Sequence, residues 1–331
     1  MKNFHCRNCD AALYFENSVC VGCGSALGYS RSEAQIVPVE GGVYVDDLGY
    51  IWHVCRNLNL SGCTWLTTTE GGQCFVCDLT RTRPADDDET GLEQLVDAER
   101  AKRQLIAELD GLGFPLVGKP EDPAGGLAFD LLSSVDENVV IGHENGVITI
   151  DLAESDDAYR EKVRDQLDEP YRTMLGHLRH EIGHYFEWQL VETPGGDLLD
   201  RARELFGDET ADYQASVQRH YDRGGPPEGW QDGYISSYAT MHPYEDFAES
   251  WAHYLHICDS VETAVEYGLV LIDRDLHDIG FRELVTRLWM TLSTALNMMN
   301  RSMGLGDLYP FVLPEPVIEK LEFVASLRPA D

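Results

Sequence analysis

The chain has 331 residues, enough for one large domain beside a small one. Its 43% hydrophobic and 10% aromatic content is that of a globular protein and excludes an intrinsically disordered one. A formal net charge of −33 leaves no basic stripe for nucleic acid, and no apolar run reaches membrane-span length, so no nucleic acid and no membrane are expected as partners. The charge is uneven: residues 1–83 hold 6 Lys/Arg against 8 Asp/Glu, and residues 84–331 hold 19 against 50. Such a field could attract cationic peptides, but a solubilising surface is the favoured reading. The stretch Met1-Lys2-Asn3-Phe4-His5-Cys6 has no apolar h-region, and the expected location is cytoplasmic.

Eight of the nine cysteines lie within the first 77 residues. Cys6-x2-Cys9 and Cys20-x2-Cys23 are two knuckles whose four thiolates suit one tetrahedral zinc. Cys55, Cys63, Cys74 and Cys77 form a less regular second set, with His53 as a possible substitute ligand. A disulfide framework is the rival, and a reducing compartment disfavours it. Both zinc ions are structural, because so small a module cannot bury enough apolar area to fold alone. Between the sets, 41–45 and 50–54 read as short strands. Cys258 stands alone on an expected helix as a small core residue.

The zinc-ribbon module is expected over 1–83, a linker helix over 84–113, and a larger domain over 114–331. Apolar residues from Leu92 to Leu109 recur at helical spacing. Strands are expected at 127–132, 139–142 and 147–152, the last two joined through Asn145-Gly146, a hairpin turn signal. Ser155-Asp156-Asp157 can cap a helix, and Asp168-Glu169-Pro170 reads as a fresh cap before a helix over 171–191 that stops ahead of Pro194. A small sheet followed by a metal-bearing helix makes the fold α+β.

That helix carries His180-Glu181-Ile182-Gly183-His184, an HExxH motif. Residues four apart share a helix face, so His180 and His184 can hold one metal between two imidazoles. Glu181 is placed to take a proton from water at that metal as general base. A third ligand is needed, and Glu187 and Leu190 exclude the HExxHxxGxxH solution. The segment His242–Tyr254 reads as a helix with Pro243 in its first turn, which sets Glu245 and Glu249 on one face. One would bind the metal while the other accepts a proton from a ligand imidazole. His253 and His256 read as a polar lining or as satisfied core histidines, His177 as a helix-surface or substrate-touching residue, and Trp188 and Trp251 as core.

Ser237-Tyr238 followed by Glu245-Asp246-Phe247-Ala248-Glu249 resembles the second metal-binding segment of zinc peptidases of the anthrax lethal factor type. The resemblance implies a zincin-like domain, with Glu245 as third ligand, Glu249 behind a ligand histidine, and Tyr238 as the phenol that stabilises the oxyanion. The whole chain also resembles a bacterial family of zinc-binding metallopeptidases with an N-terminal zinc ribbon. The matching stretches are Cys20–Gly24, Leu178–Phe186, 245–256 and Gly304–Phe311. The expected protein is a metallopeptidase with one catalytic and two structural Zn2+, acting on a peptide or protein substrate. A protein partner would dock through the ribbon, and an extended substrate would pair along Val147–Asp151 by fold analogy. The alternative is an adaptor built on an idle zincin scaffold.

Overall fold

The computed structural model describes residues 1–134, 139–155 and 173–329. It contains two compact units, Met1–Asp156 and Asp157–Asp331. Among the described residues no helix is long and apolar enough to cross a membrane.

In the first unit, β1 (Phe4–His5) and β2 (Ala12–Leu13) pair antiparallel around the first knuckle. Each knuckle turns back through a residue in the left-handed region, Asp10 at φ 60° and Gly24 at φ 77°. Each closes with a 2.8 Å amide bond, from Asp10 N to the Cys6 carbonyl and from Gly24 N to the Cys20 carbonyl. A hairpin of β3 (Leu27–Ser30) and β4 (Gln35–Pro38) follows, then an antiparallel sheet of β5 (Val43–Val45), β6 (Ile51–Val54) and β7 (Leu66–Thr67). The long gap between Cys55 and Cys63 is filled by one helical turn, Leu58–Ser61, ending on Gly62 at φ 68°. Fully buried Trp65 lies 4.7 Å from the Tyr29 ring at the heart of this module.

The sulfur separations decide between zinc and disulfides. Cys6–Cys23 and Cys55–Cys77 stand at 3.7 Å, Cys9–Cys20 and Cys63–Cys74 at 3.6 Å. A disulfide requires about 2.05 Å. The edge of a tetrahedron with zinc–sulfur bonds of about 2.3 Å is about 3.8 Å. Both sets therefore have zinc geometry, and none of the nine cysteines is in a disulfide. His53, on β6, lies outside the second set.

Helix α1 (Glu89–Gly111) starts on Asp88, whose side chain accepts from Gly91 N. It buries charged residues rather than a purely apolar stripe. Lys102 bonds to Thr80 and, at 2.8 Å, to Glu99; Arg103 pairs with Glu16 and donates to the Ser61 carbonyl at 3.1 Å. Arg103 is 1% exposed, so its guanidinium depends on Glu16 for compensation. Glu16→Ala should thus destabilise this unit by about 3–5 kcal/mol, read as a drop in its urea midpoint. A change under about 0.5 kcal/mol would show the pair to be no more than a surface contact.

The unit ends in a sheet ordered β10 (Gly142–Glu144), β11 (Val147–Asp151), β9 (Ala128–Leu132), β8 (Thr80–Thr82). β9 is parallel to both neighbours, and β10–β11 is an antiparallel hairpin. Its turn residues Asn145 and Gly146 have φ 50° and 80°, as a two-residue type I′ turn demands. The expected strand at 139–142 begins only at Gly142. Val147–Asp151 is internal to the sheet rather than its edge: β9 pairs along its whole length and β10 along Val147–Thr149, where the substrate-pairing expectation needed free main chain.

In the second unit, α2 (Met174–Glu187) is capped by Thr173, whose hydroxyl accepts from Gly176 N at 2.9 Å. The cap expected at Asp168-Glu169-Pro170, the helix start at Tyr171 and most of the Ser155-Asp156-Asp157 cap lie outside the described residues. After Glu187 the chain runs through one π turn, Trp188–Glu192. Then come α3 (Gly196–Phe206), α4 (Tyr213–Arg223), α5 (Pro243–Glu266), α6 (Met290–Ser302) and α7 (Glu315–Ser326). The α+β reading holds: strand-rich zinc ribbons and a small sheet, then a mostly helical domain.

Helices α2 and α5 are the pair that builds the site, and Gly183 lets them meet. A Cβ there would lie 2.9 Å from the Trp251 Cβ and 3.0 Å from the Ala248 Cα. Trp251, fully buried, stacks on Phe186 at 4.8 Å and lies 6.2 Å from Phe247. Lys320 of α7 donates to Asp246 at 2.6 Å and to the Gly233 carbonyl at 2.7 Å, anchoring α5 from behind. Cys258 is half-buried, not a core residue.

Candidate metal centre

Helix α2 presents His180 and His184 one turn apart, and α5 presents Glu245 in its own first turn. The α5 start is fixed by His242, whose Nδ1 accepts from Tyr244 N at 3.1 Å, with Pro243 pre-set for helix. His180 Nε2 stands 3.0 Å from Glu245 Oε2 and 3.1 Å from His184 Nε2; His184 Nε2 stands 3.6 Å from Glu245 Oε2. Bonds of about 2.0–2.1 Å to one tetrahedral ion would space such ligands about 3.3 Å apart. Three atoms from residues 65 and 61 positions apart in sequence thus converge on one cation-sized point.

The electrostatics fit the same ion. Burial alone would push the His180 imidazole down, yet hydrogen bonds to Glu245 and Glu249 hold it well above its ordinary range. Burial would raise Glu245, and His180 and His184 pull it well below the usual carboxylate range. Buried carboxylates that need a protonated imidazole for compensation mark a place where a divalent cation satisfies the charge. Within the site, Glu181 Oε2 is buried without a hydrogen-bond partner among the described residues, and His184 Nδ1, the ring nitrogen on the side away from the ligand cluster, has none either. The residues present therefore fit zinc.

The shell behind the ligands is complete around His180. Its Nδ1 donates to Glu249 Oε1 at 2.7 Å, and Ser236 Oγ donates to Glu249 Oε2 at 2.6 Å. Of the two carboxylates one turn apart, Glu245 faces the two Nε2 atoms and Glu249 the far side of one ring. Tyr244 stacks on His184 with centroids 3.7 Å apart and planes at 14°. Tyr238, in a 3-10 turn (Tyr238–Thr240), has its ring 5.7 Å from that of His180.

His177 is neither a helix-surface residue nor aimed at solvent. Its side chain is 8% exposed and its Nε2 donates to Glu181 Oε1 at 3.1 Å. Burial would raise the Glu181 carboxyl, but His177 and then the two other imidazoles hold it below its ordinary range. His253 bonds Tyr309 at 2.8 Å through Nδ1, and burial pushes its imidazole down to about 4. His256 Nδ1 accepts from Arg179 at 2.6 Å, and Arg179 in turn holds Asp259 at 2.8 Å. Both are buried, partnered core histidines. Tyr213, which no sequence motif singles out, donates to Glu245 Oε1 at 2.7 Å.

Comparison with known proteins agrees with this geometry. Residues 91–327 match the family described as "Putative zinc-binding metallo-peptidase", and residues 3–88 match a zinc-ribbon domain. Uncharacterised proteins of Mycobacterium bovis and of two Mycobacterium tuberculosis strains are 52% identical over 334 residues, covering 99% of this chain and 95% of theirs. No solved structure matches. The chain belongs to that zinc-binding metallopeptidase family and carries a zinc-ribbon domain ahead of it.

Proposed function

We propose that this protein hydrolyses peptide bonds, with His180, His184 and Glu245 as ligands of a catalytic zinc and Glu181 as general base. The observation that carries the reading is the convergence of the His180, His184 and Glu245 ligand atoms, with the adjacent Glu181 buried and its Oε2 without a hydrogen-bond partner among the described residues. Zinc, when bound, polarises the scissile carbonyl and acidifies the attacking water. Glu181 Oε2 takes the proton of that water and passes it to the leaving amine. His177 holds the other oxygen, so the acceptor atom is fixed in place. Tyr238 donates its phenol to the oxyanion as charge develops there. Glu249 keeps His180 in the tautomer that leaves Nε2 for the metal.

The two four-cysteine sites hold structural zinc and stiffen a surface for a protein partner, in a reducing, cytoplasmic setting. Elemental analysis should give three zinc ions per chain; a value near one with titratable thiols would contradict the double ribbon. Hydrolysis of a denatured, dye-labelled protein tests the activity itself. Zinc-replete protein should release soluble peptides, and three bound zinc ions with no release would favour the adaptor.

A further inference from the structure

The hydroxyl of Tyr213 lies on the oxygen of Glu245 that the imidazoles do not face. Glu245 Oε2 is the atom 3.0 and 3.6 Å from the two Nε2 atoms, whereas Oε1 accepts from Tyr213 at 2.7 Å. The placement is built rather than incidental. Tyr213 is the first residue of α4, capped by Asp212, whose carboxylate accepts from Ala215 N at 2.9 Å. His242, the cap of α5, bonds the Ala211 carbonyl at 3.0 Å, and its ring lies 5.3 Å from that of Tyr213. One short segment thus fixes Tyr213 against the start of the helix that supplies Glu245.

We propose that Tyr213 is a positioning residue for the third ligand: its phenol holds Glu245 Oε1, so that Oε2 alone is offered to the metal. A carboxylate free to turn can bind through both oxygens, which would fill the position that water and substrate need. A donor on Oε1 opposes that turn and orients the ligand, as groups behind metal ligands commonly do. The assignment rests on the peptidase reading only for its consequence; the metal-ligand role stands on the geometry of Glu245.

The test is metal binding by Tyr213→Phe, which removes one hydroxyl from a side chain 37% exposed and leaves the fold in place. Zinc affinity of the catalytic site is read by competition with a chromophoric chelator, and ligand geometry by the visible spectrum of the cobalt-substituted protein. Tyr221→Phe, on the same helix and 57% exposed, is the control. Tyr213→Phe should bind zinc about 10–100-fold more weakly and shift the cobalt bands towards higher coordination number, with Tyr221→Phe unchanged. Affinity within about twofold of the native value with an unchanged spectrum, or an equal loss in Tyr221→Phe, overturns the proposal. Because neither readout is turnover, a native protein that binds zinc yet cleaves nothing counts against the peptidase reading and leaves this answer standing.

Discussion

Glu181→Gln is expected to lower turnover by about 10²–10⁴-fold while the zinc content stays at the native value. The amide keeps the shape of the side chain and its bond to His177 but cannot accept a proton from water. The three ligand atoms, on His180, His184 and Glu245, are untouched. Two measurements on one preparation are needed, elemental zinc and initial rate. A variant that retains near-native rates with full zinc would show that another group takes the proton. One that loses its zinc would show that Glu181 holds the site together rather than acting as base.

The second large effect separates the two glutamates of α5. Glu245→Ala deletes one of three protein ligands, and the protein should lose about one zinc per chain while keeping those of the ribbon. Glu249→Ala removes the acceptor at His180 Nδ1, 2.7 Å away, and the acceptor of the Ser236 hydroxyl. Affinity should fall by about 10–100-fold, with occupancy restored at high zinc. Zinc titration of the two variants side by side decides. An empty Glu249→Ala protein beside a Glu245→Ala protein that binds normally would reverse the assignment.

Sequence patterns identified what repeats locally. The HExxH spacing on a helix, the paired cysteine knuckles and the Asn145-Gly146 turn each rest on a short-range rule that the chain obeys where it stands. Spacing alone set Glu245 and Glu249 on one face and could not say which faced the metal; that choice depends on how α5 crosses α2, which Gly183 and Trp251 fix. Tyr213 was invisible for the same reason. It lies 32 residues from Glu245 in a segment without a motif, and only the fold brings its hydroxyl to Oε1. His177 sits one turn before Glu181 at i,i+4, so its pairing was legible in principle, but a helical histidine beside a glutamate is also an ordinary surface pair. Taking Val147–Asp151 as an edge failed because strand order within a sheet is not a local property: β11 is flanked by β10 on one side and β9 on the other.

Everything proposed here turns on zinc at His180, His184 and Glu245 driving hydrolysis of peptide bonds. The most direct measurement is mass spectrometry of a diverse peptide library incubated with the protein as purified, after chelation and after zinc is returned. New carboxyl and amino termini should appear at internal peptide bonds, be absent after chelation and return with zinc. Cleavage that persists in fully zinc-free protein, or no cleavage by protein holding zinc at all three sites, would contradict it.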